Sequence, residues 1–116
     1  MKKTFLTSII ITILLQSCKV DCDAIAEIER QTKCLIIVKE IPLKEVSRHN
    51  FYVKGKSLKT DKDTVYDEEN RWFCEFYKYI DKNDTIIKQK GELKFNIHKK
   101  DTVISFDFEC PVGKKY

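Results

Sequence analysis

Hydrophobic positions recur along this chain in three different rhythms. Phe5 to Leu15 is a continuous apolar run, interrupted only by hydroxyl-bearing residues. From Ala24 to Lys33 the rhythm becomes helical: Ile25, Ile28 and Thr32 share one face, and Glu29 and Lys33 stand at i,i+4. Asp21 or Asp23 can cap this helix, and acids crowd its start while bases crowd its end, as the helix dipole favours. Cys34 to Ile41 is apolar and β-branched, the mark of a strand buried on both faces, and Pro42 ends it. Asn50-Phe51-Tyr52-Val53-Lys54 predicts a second strand that stops near Gly55. Residues 55–70 are dominated by charge around Val65 and Tyr66, and read as a long polar loop with one short strand at most.

The last third of the chain alternates with a period of two. Trp72, Cys74, Phe76 and Ile80 form one apolar set; Leu93, Phe95 and Ile97 form the next; Thr102, Ile104, Phe106, Phe108 and Cys110 form the last. Turns at Lys82-Asn83 and Lys99-Lys100 would pair Trp72 with Leu93, Phe95 with Ile104 and Ile97 with Thr102. Both hairpins then place their apolar sets on one face of a shared middle strand, and a one-residue slip would break that agreement. The pattern predicts a three-stranded antiparallel meander. The fold class expected is α+β, an N-terminal helix packed on an antiparallel sheet of about five strands and stapled by disulfides.

The apolar run at the start changes the picture of where the protein resides. Lys2 and Lys3 precede it, and its eleven residues fall short of the roughly 20 that a membrane-spanning helix needs. It ends in Leu15-Gln16-Ser17-Cys18. This resembles the lipobox of bacterial lipoproteins, with Leu at −3, a small residue at −1 and an obligatory Cys; Gln16 at −2 departs slightly from the usual small residue. The resemblance covers the leader alone. It implies cleavage before Cys18, acylation of that cysteine, and a division into a signal peptide (1–17) and a single small envelope domain (18–116). Two or more acyl chains give lasting attachment where one gives only marginal binding. Lys19, standing where an Asp would direct inner-membrane retention, implies the outer membrane as destination.

Composition narrows the field further. The 116 residues leave room for one domain, and an apolar content of 42% with 11% aromatics excludes a disordered chain. Removing residues 1–17 takes Lys2 and Lys3 with it, leaving 20 basic and 18 acidic residues and a net charge near +2. A nucleic-acid partner would call for a basic stripe, which these alternating signs do not supply.

In an oxidising envelope the four cysteines after Cys18, namely Cys22, Cys34, Cys74 and Cys110, read as two disulfides. Among these four no Cys-x₂₋₄-Cys pair supports a zinc site. An unbroken helix would hold Cys22 and Cys34 about 18 Å apart, beyond the roughly 7 Å limit of a bridge. The meander register would hold Cys74 and Cys110 two strands apart, roughly 10 Å. Two connectivities stay open: 22–74 with 34–110, or 22–110 with 34–74.

Candidate chemistry is sparse. Phe73, Tyr77, Tyr79 and Ile86 fall on the outer face of the expected meander, a possible binding patch unless the helix or loop covers them. Beside them Glu75, Lys90 and Glu109 would form a charge ladder in one row. Glu92 and Asp107 face each other across strands as a glycosidase pair would, but Lys90 and Lys94 flank Glu92, which favours a solvated face. His98 and Asp101 flank a turn, and two ligands do not make a metal site; His49 reads as structural. Asp61-Lys62-Asp63 and Asp81-Lys82-Asn83-Asp84 lack the Gly and Glu of a calcium loop and read as turn chemistry. No cofactor is expected, nor any catalytic residue. The expectation is a lipid-anchored, non-enzymatic binding or inhibitor module with a protein partner. The alternatives are an immunity lipoprotein that neutralises a periplasmic toxin, and an accessory subunit of an envelope assembly.

Overall fold

The computed structural model describes residues 20–41 and 49–116. Helix α1 (Cys22–Gln31) starts where Asp21 Oδ1 accepts the Ala24 N–H at 3.0 Å, and stops at Thr32, whose Oγ1 donates to the Glu29 carbonyl at 2.7 Å. The helix thus begins two residues before the expected start and ends two residues early. Its buried stripe is Cys22, Ala26 and Glu29, while Ile28 is 65% exposed. The face expected from Ile25, Ile28 and Thr32 is therefore rotated. Attachments at Cys22 and Glu29, described below, set the rotation rather than hydrophobicity alone.

The strands are β1 (Cys34–Glu40), β2 (Asn50–Ser57), β3 (Asp63–Glu69), β4 (Thr85–Lys88), β5 (Lys94–His98) and β6 (Val103–Asp107). They form one antiparallel sheet ordered β3-β2-β1-β4-β5-β6. An α+β arrangement therefore stands, with more sheet than expected. Strand β1 lies inside the sheet, its Cys34, Ile36 and Val38 buried while Leu35 and Ile37 are half-buried on the other face. A bulge between Val38 and Glu40 interrupts its pairing with β2. Opposite it, a Cβ on Gly55 would lie 1.9 Å from the Ile37 carbonyl oxygen, so the two backbones can approach only because this residue is glycine.

Two expectations from alternation need correction. Residues 55–70 are the end of β2, a tight turn and all of β3, paired in unbroken register from Asn50↔Glu69 to Lys56↔Asp63. At the turn Ser57 Oγ accepts from the amides of Lys59 and Thr60, and Asp61 takes φ 60°. Residues 71–80 are not a strand. Asn70 Oδ1 caps a short helix α2 (Arg71–Cys74) by accepting the Phe73 N–H at 2.9 Å, and a 3₁₀ turn follows at Tyr77–Tyr79. Trp72, Phe73, Phe76 and Ile80 are all buried, and their spacing fits a helical turn as well as it fits alternation.

The C-terminal meander exists, but β4, β5 and β6 build it. The single middle strand expected over residues 85–97 is two strands, reversed through Gly91 at φ +90°. In the last hairpin Phe95 pairs with Phe106 and Ile97 with Ile104, two residues from the expected register. A slip of two preserves the faces, so every inward residue of β5 and β6 stays inward. The four-residue turn 99–102, closed by Lys99 N–H to the Thr102 carbonyl at 2.8 Å, accounts for the slip.

The core is aromatic. Phe76 stacks on Phe106 at 4.3 Å and on Phe95 at 4.8 Å, Phe73 meets Phe95 at 4.9 Å, and Trp72 meets Phe108 edge-on at 5.3 Å. Each such ring contributes on the order of 2–3 kcal/mol by leaving water, with a smaller gain from ring geometry.

Candidate functional site

The proposed aromatic patch does not form. Phe73 and Ile86 are fully buried in the core, Tyr77 is half-buried, and Tyr79 alone of the four is exposed. The helical turn at residues 71–74 carries Phe73 inward, and the β1–β4 pairing does the same for Ile86. Tyr77 is a tie between elements: its hydroxyl donates to the Asn50 carbonyl at 3.2 Å and accepts the Tyr52 N–H at 2.6 Å. Burial pushes its phenol up to about 12.

The cysteines divide in a way the sequence did not anticipate. Cys22 and Cys110 are joined, with Cα atoms 5.7 Å apart, as one of the two open connectivities required. Cys34 and Cys74 are not joined to each other, so the second bridge expected between them does not form. Cys34 points from β1 into the core, and burial, aided by nearby Glu68, drives its thiol above the ordinary range. Cys74 ends α2 and is half-buried, which raises its thiol too. Since residues 71–80 are helical, the strand register that placed Cys74 does not apply.

Where α1, α2 and β4 meet, a polar cluster lies inside the fold. Asn70 Nδ2 donates to Glu29 Oε2 at 2.9 Å while its Oδ1 caps α2. Lys88 is fully buried, and its ammonium donates to three carbonyls: Glu29 at 2.7 Å, Thr32 at 2.9 Å and Gln89 at 2.8 Å. The Gly91 N–H donates to the Arg30 carbonyl at 2.6 Å. Together these groups satisfy the last turn of α1, whose carbonyls would otherwise be orphaned. Burial raises the Glu29 carboxyl and lowers the Lys88 ammonium from their usual values. Chemically the cluster holds a helix end against a sheet. The inward position of Lys88, between Ile86 and the loop, was readable only as an alternation in which a lysine takes an apolar place.

The remaining sequence candidates serve turns and surfaces. Asp84 Oδ2 accepts the Asp81 N–H at 2.7 Å and the Lys99 ammonium at 2.5 Å, and Lys99 also reaches Asp81 at 2.9 Å. Residues 81–84 are thus a turn braced against the 99–102 turn. Asp107 pairs with Lys94, Nζ to Oδ1 3.8 Å, and Glu92 lies before β5 on the rim of an open concavity of about 380 Å³. The charge ladder is not built as expected: Glu75 is the C-cap of α2, where burial, and then nearby Glu109, raise its carboxyl. His98 pairs with Val103 inside the last hairpin, and the His49 carbonyl accepts the Asn70 N–H at 2.8 Å. Among the described residues, no three His, Cys, Asp or Glu side chains gather as a metal site would require.

One surface region gathers features from both ends of the chain. Beside the Cys22–Cys110 bridge, Asp23 Oδ1 accepts from Lys114 Nζ at 2.9 Å and from the Tyr116 hydroxyl at 2.6 Å. These bonds hold the Asp23 carboxyl below its usual value and the Lys114 ammonium above. The turn from Cys110 to Lys114 is closed by Gly113 N–H to the Cys110 carbonyl at 2.7 Å and by Cys110 N–H to the Lys114 carbonyl at 2.8 Å, with Gly113 at φ +92°. An open concavity of about 520 Å³ lies here, lined by Val20, Asp21, Cys22, Asp23 and Lys114. Cys18 lies outside the described residues, two positions before Val20. No helix among the described residues is long and apolar enough to cross a membrane. Comparison of the chain with family models, curated proteins and solved structures finds no match.

Proposed function

We propose that the protein is a lipid-anchored component of the bacterial envelope that works by binding a partner protein rather than by catalysis. The observation that carries this reading is the run Leu15-Gln16-Ser17-Cys18 placed four residues ahead of Cys22, the first residue of α1. A lipid on Cys18 would pass without a long linker into a folded domain. The Cys22–Cys110 bridge supports an oxidising compartment, where such bonds persist.

The binding role is supported by how the buried charges are used. Glu29, Asp84 and Lys88 are each committed to holding secondary structure together, which leaves the exposed surfaces to carry the function. A partner would meet the domain while the acyl chains hold it at the membrane. Inhibition of a delivered toxin and service as an accessory subunit both follow this logic, and they differ in partner alone. The destination proposed is the outer membrane, from Lys19 after the acylated cysteine.

The deciding experiment is intact-mass analysis of the protein from membranes of the producing bacterium, followed by crosslinking and pull-down. The expected product begins at Cys18 and carries acyl chains, and it captures one protein in stoichiometric amount. A product that retains residues 1–17, or a bare Cys18, would overturn the anchor. Turnover of an envelope substrate by the purified protein would overturn the binding role.

A further inference from the structure

The turn Cys110–Lys114 carries an exposed apolar tip. Its tip is Pro111-Val112, with Val112 65% exposed, and Lys114, Lys115 and Tyr116 follow after Gly113. Val20, 48% exposed, lies on the same side, since it lines the concavity that also contains Cys22 and Lys114. Apolar residues at a rigid tip, flanked by lysines and a tyrosine, suit the boundary between water and lipid. The apolar part enters the headgroup layer, the lysines meet phosphates, and the aromatic ring lies between.

Chain geometry places this turn where a bilayer would be. Cys18 and Cys22 are four positions apart, at most about 14 Å of extended chain. The Cys22–Cys110 bridge then brings the start of the turn within 5.7 Å, Cα to Cα, of the start of the helix. The turn cannot swing away, because the bridge, the Asp23–Lys114 and Asp23–Tyr116 bonds and its own backbone bonds hold it to α1. Among the nearby acids, Asp21 is committed to the helix cap and Asp23 to Lys114 and Tyr116, and Glu109 stands opposite Lys115 in an antiparallel bridge, while Lys115 itself is exposed toward solvent.

We propose that the Cys110–Lys114 turn, with Val20, Lys115 and Tyr116, is a membrane-contact site. It seats the domain on anionic phospholipid headgroups beside the acyl chains of Cys18 and so fixes which surfaces face away from the bilayer. The proposal rests on the anchored reading above and adds to it a fixed orientation. Without this contact an acylated domain would tumble on its tether.

The test uses the acylated protein purified from membranes, its modification at Cys18 first checked by mass spectrometry. It is placed in vesicles of phosphatidylethanolamine and phosphatidylglycerol, in phosphatidylcholine vesicles and in non-ionic micelles. Lysine acetylation is then followed site by site. In the anionic vesicles Lys115 should react about fivefold more slowly than in micelles, with weaker protection on phosphatidylcholine, while Lys78 and Lys82 should react equally in all three. Val112→Asp, on an exposed tip, should abolish the protection while the acyl chains keep the protein on the vesicles. Equal reactivity of Lys115 in vesicles and micelles, with Cys18 acylated, would overturn the contact site and leave the anchor standing. An unmodified Cys18 would overturn both, and the mass measurement distinguishes the two failures.

Discussion

Strands β3 and β6 are the two edges of one sheet, yet they are built on opposite principles. In β6 the exposed residues Val103, Ser105 and Asp107 alternate with the half-buried Ile104 and Phe106, which turn toward the core. In β3 every residue except Tyr66 is exposed, and Asp63, Asp67, Glu68 and Glu69 supply most of its length. One edge is held by side chains packed beneath it. The other is held by backbone pairing to β2, and its charges discourage a further strand from adding on. A strand writes its period into the sequence only where one face must be buried. This is why β6 could be read before the structure and β3 could not.

The sharpest way to break the comparison is to cut into the core on which β6 lies. Phe95→Ala should cost about 3–5 kcal/mol, because the ring contacts Phe51, Trp72, Phe73 and Phe76 at once. Chemical denaturation would measure it, and a loss under 1 kcal/mol would contradict the packing described. Replacing Cys22 and Cys110 together by serine opens a closure of 88 residues and should cost about 2–4 kcal/mol, read from the same denaturation midpoint.

Lys88→Met keeps the apolar stem but removes the donor to the Glu29 and Thr32 carbonyls at the end of α1 and to the Gln89 carbonyl after β4, with an expected loss of about 2–3 kcal/mol and reduced helicity by circular dichroism. Its neighbour provides a pH test. Burial raises the Glu29 carboxyl above its usual value of 4.5, so the folded state binds this proton more tightly than the unfolded chain. The contribution is most favourable below that usual value and is lost as pH climbs through the folded one. Glu29→Gln keeps an oxygen for Asn70 Nδ2, so its melting temperature should gain on the native protein as pH rises from 4.5 to 7. A constant difference across that range would refute the assignment. The smallest effect belongs to β3: Val65→Ala should shift stability by about 0.5 kcal/mol or less, since the side chain is 49% exposed.

The sequence was most informative where local chemistry acts alone. Asp21 as a cap, the inward set Phe95, Ile97, Phe106 and Phe108, and the turn character of residues 81–84 all follow from neighbours a few positions apart. The error at residues 71–80 has the same origin. Trp72, Phe73, Phe76 and Ile80 satisfy a helical spacing, and Asn70 before them is a favoured cap, but the neighbouring Cys74 completed a convincing alternation. A short segment can carry both periods, and the choice falls to whatever packs against it. The proposed patch at Phe73, Tyr77, Tyr79 and Ile86 depended on that choice and fell with it.

What the chain determines by itself is therefore the existence of α1, β1 and the last hairpin, and the inward parity of that hairpin. These depend on residue type and spacing, which need no knowledge of distant neighbours. Tertiary structure alone decides the rotation of α1, the burial of Lys88 and Glu29, the pairing of Cys22 with Cys110, and the edge strand β3. The first three depend on contacts between residues far apart in the chain, whose free energy exists only once the intervening segments have closed into the sheet; β3 pairs across a tight turn but buries no face that would write its period into the sequence.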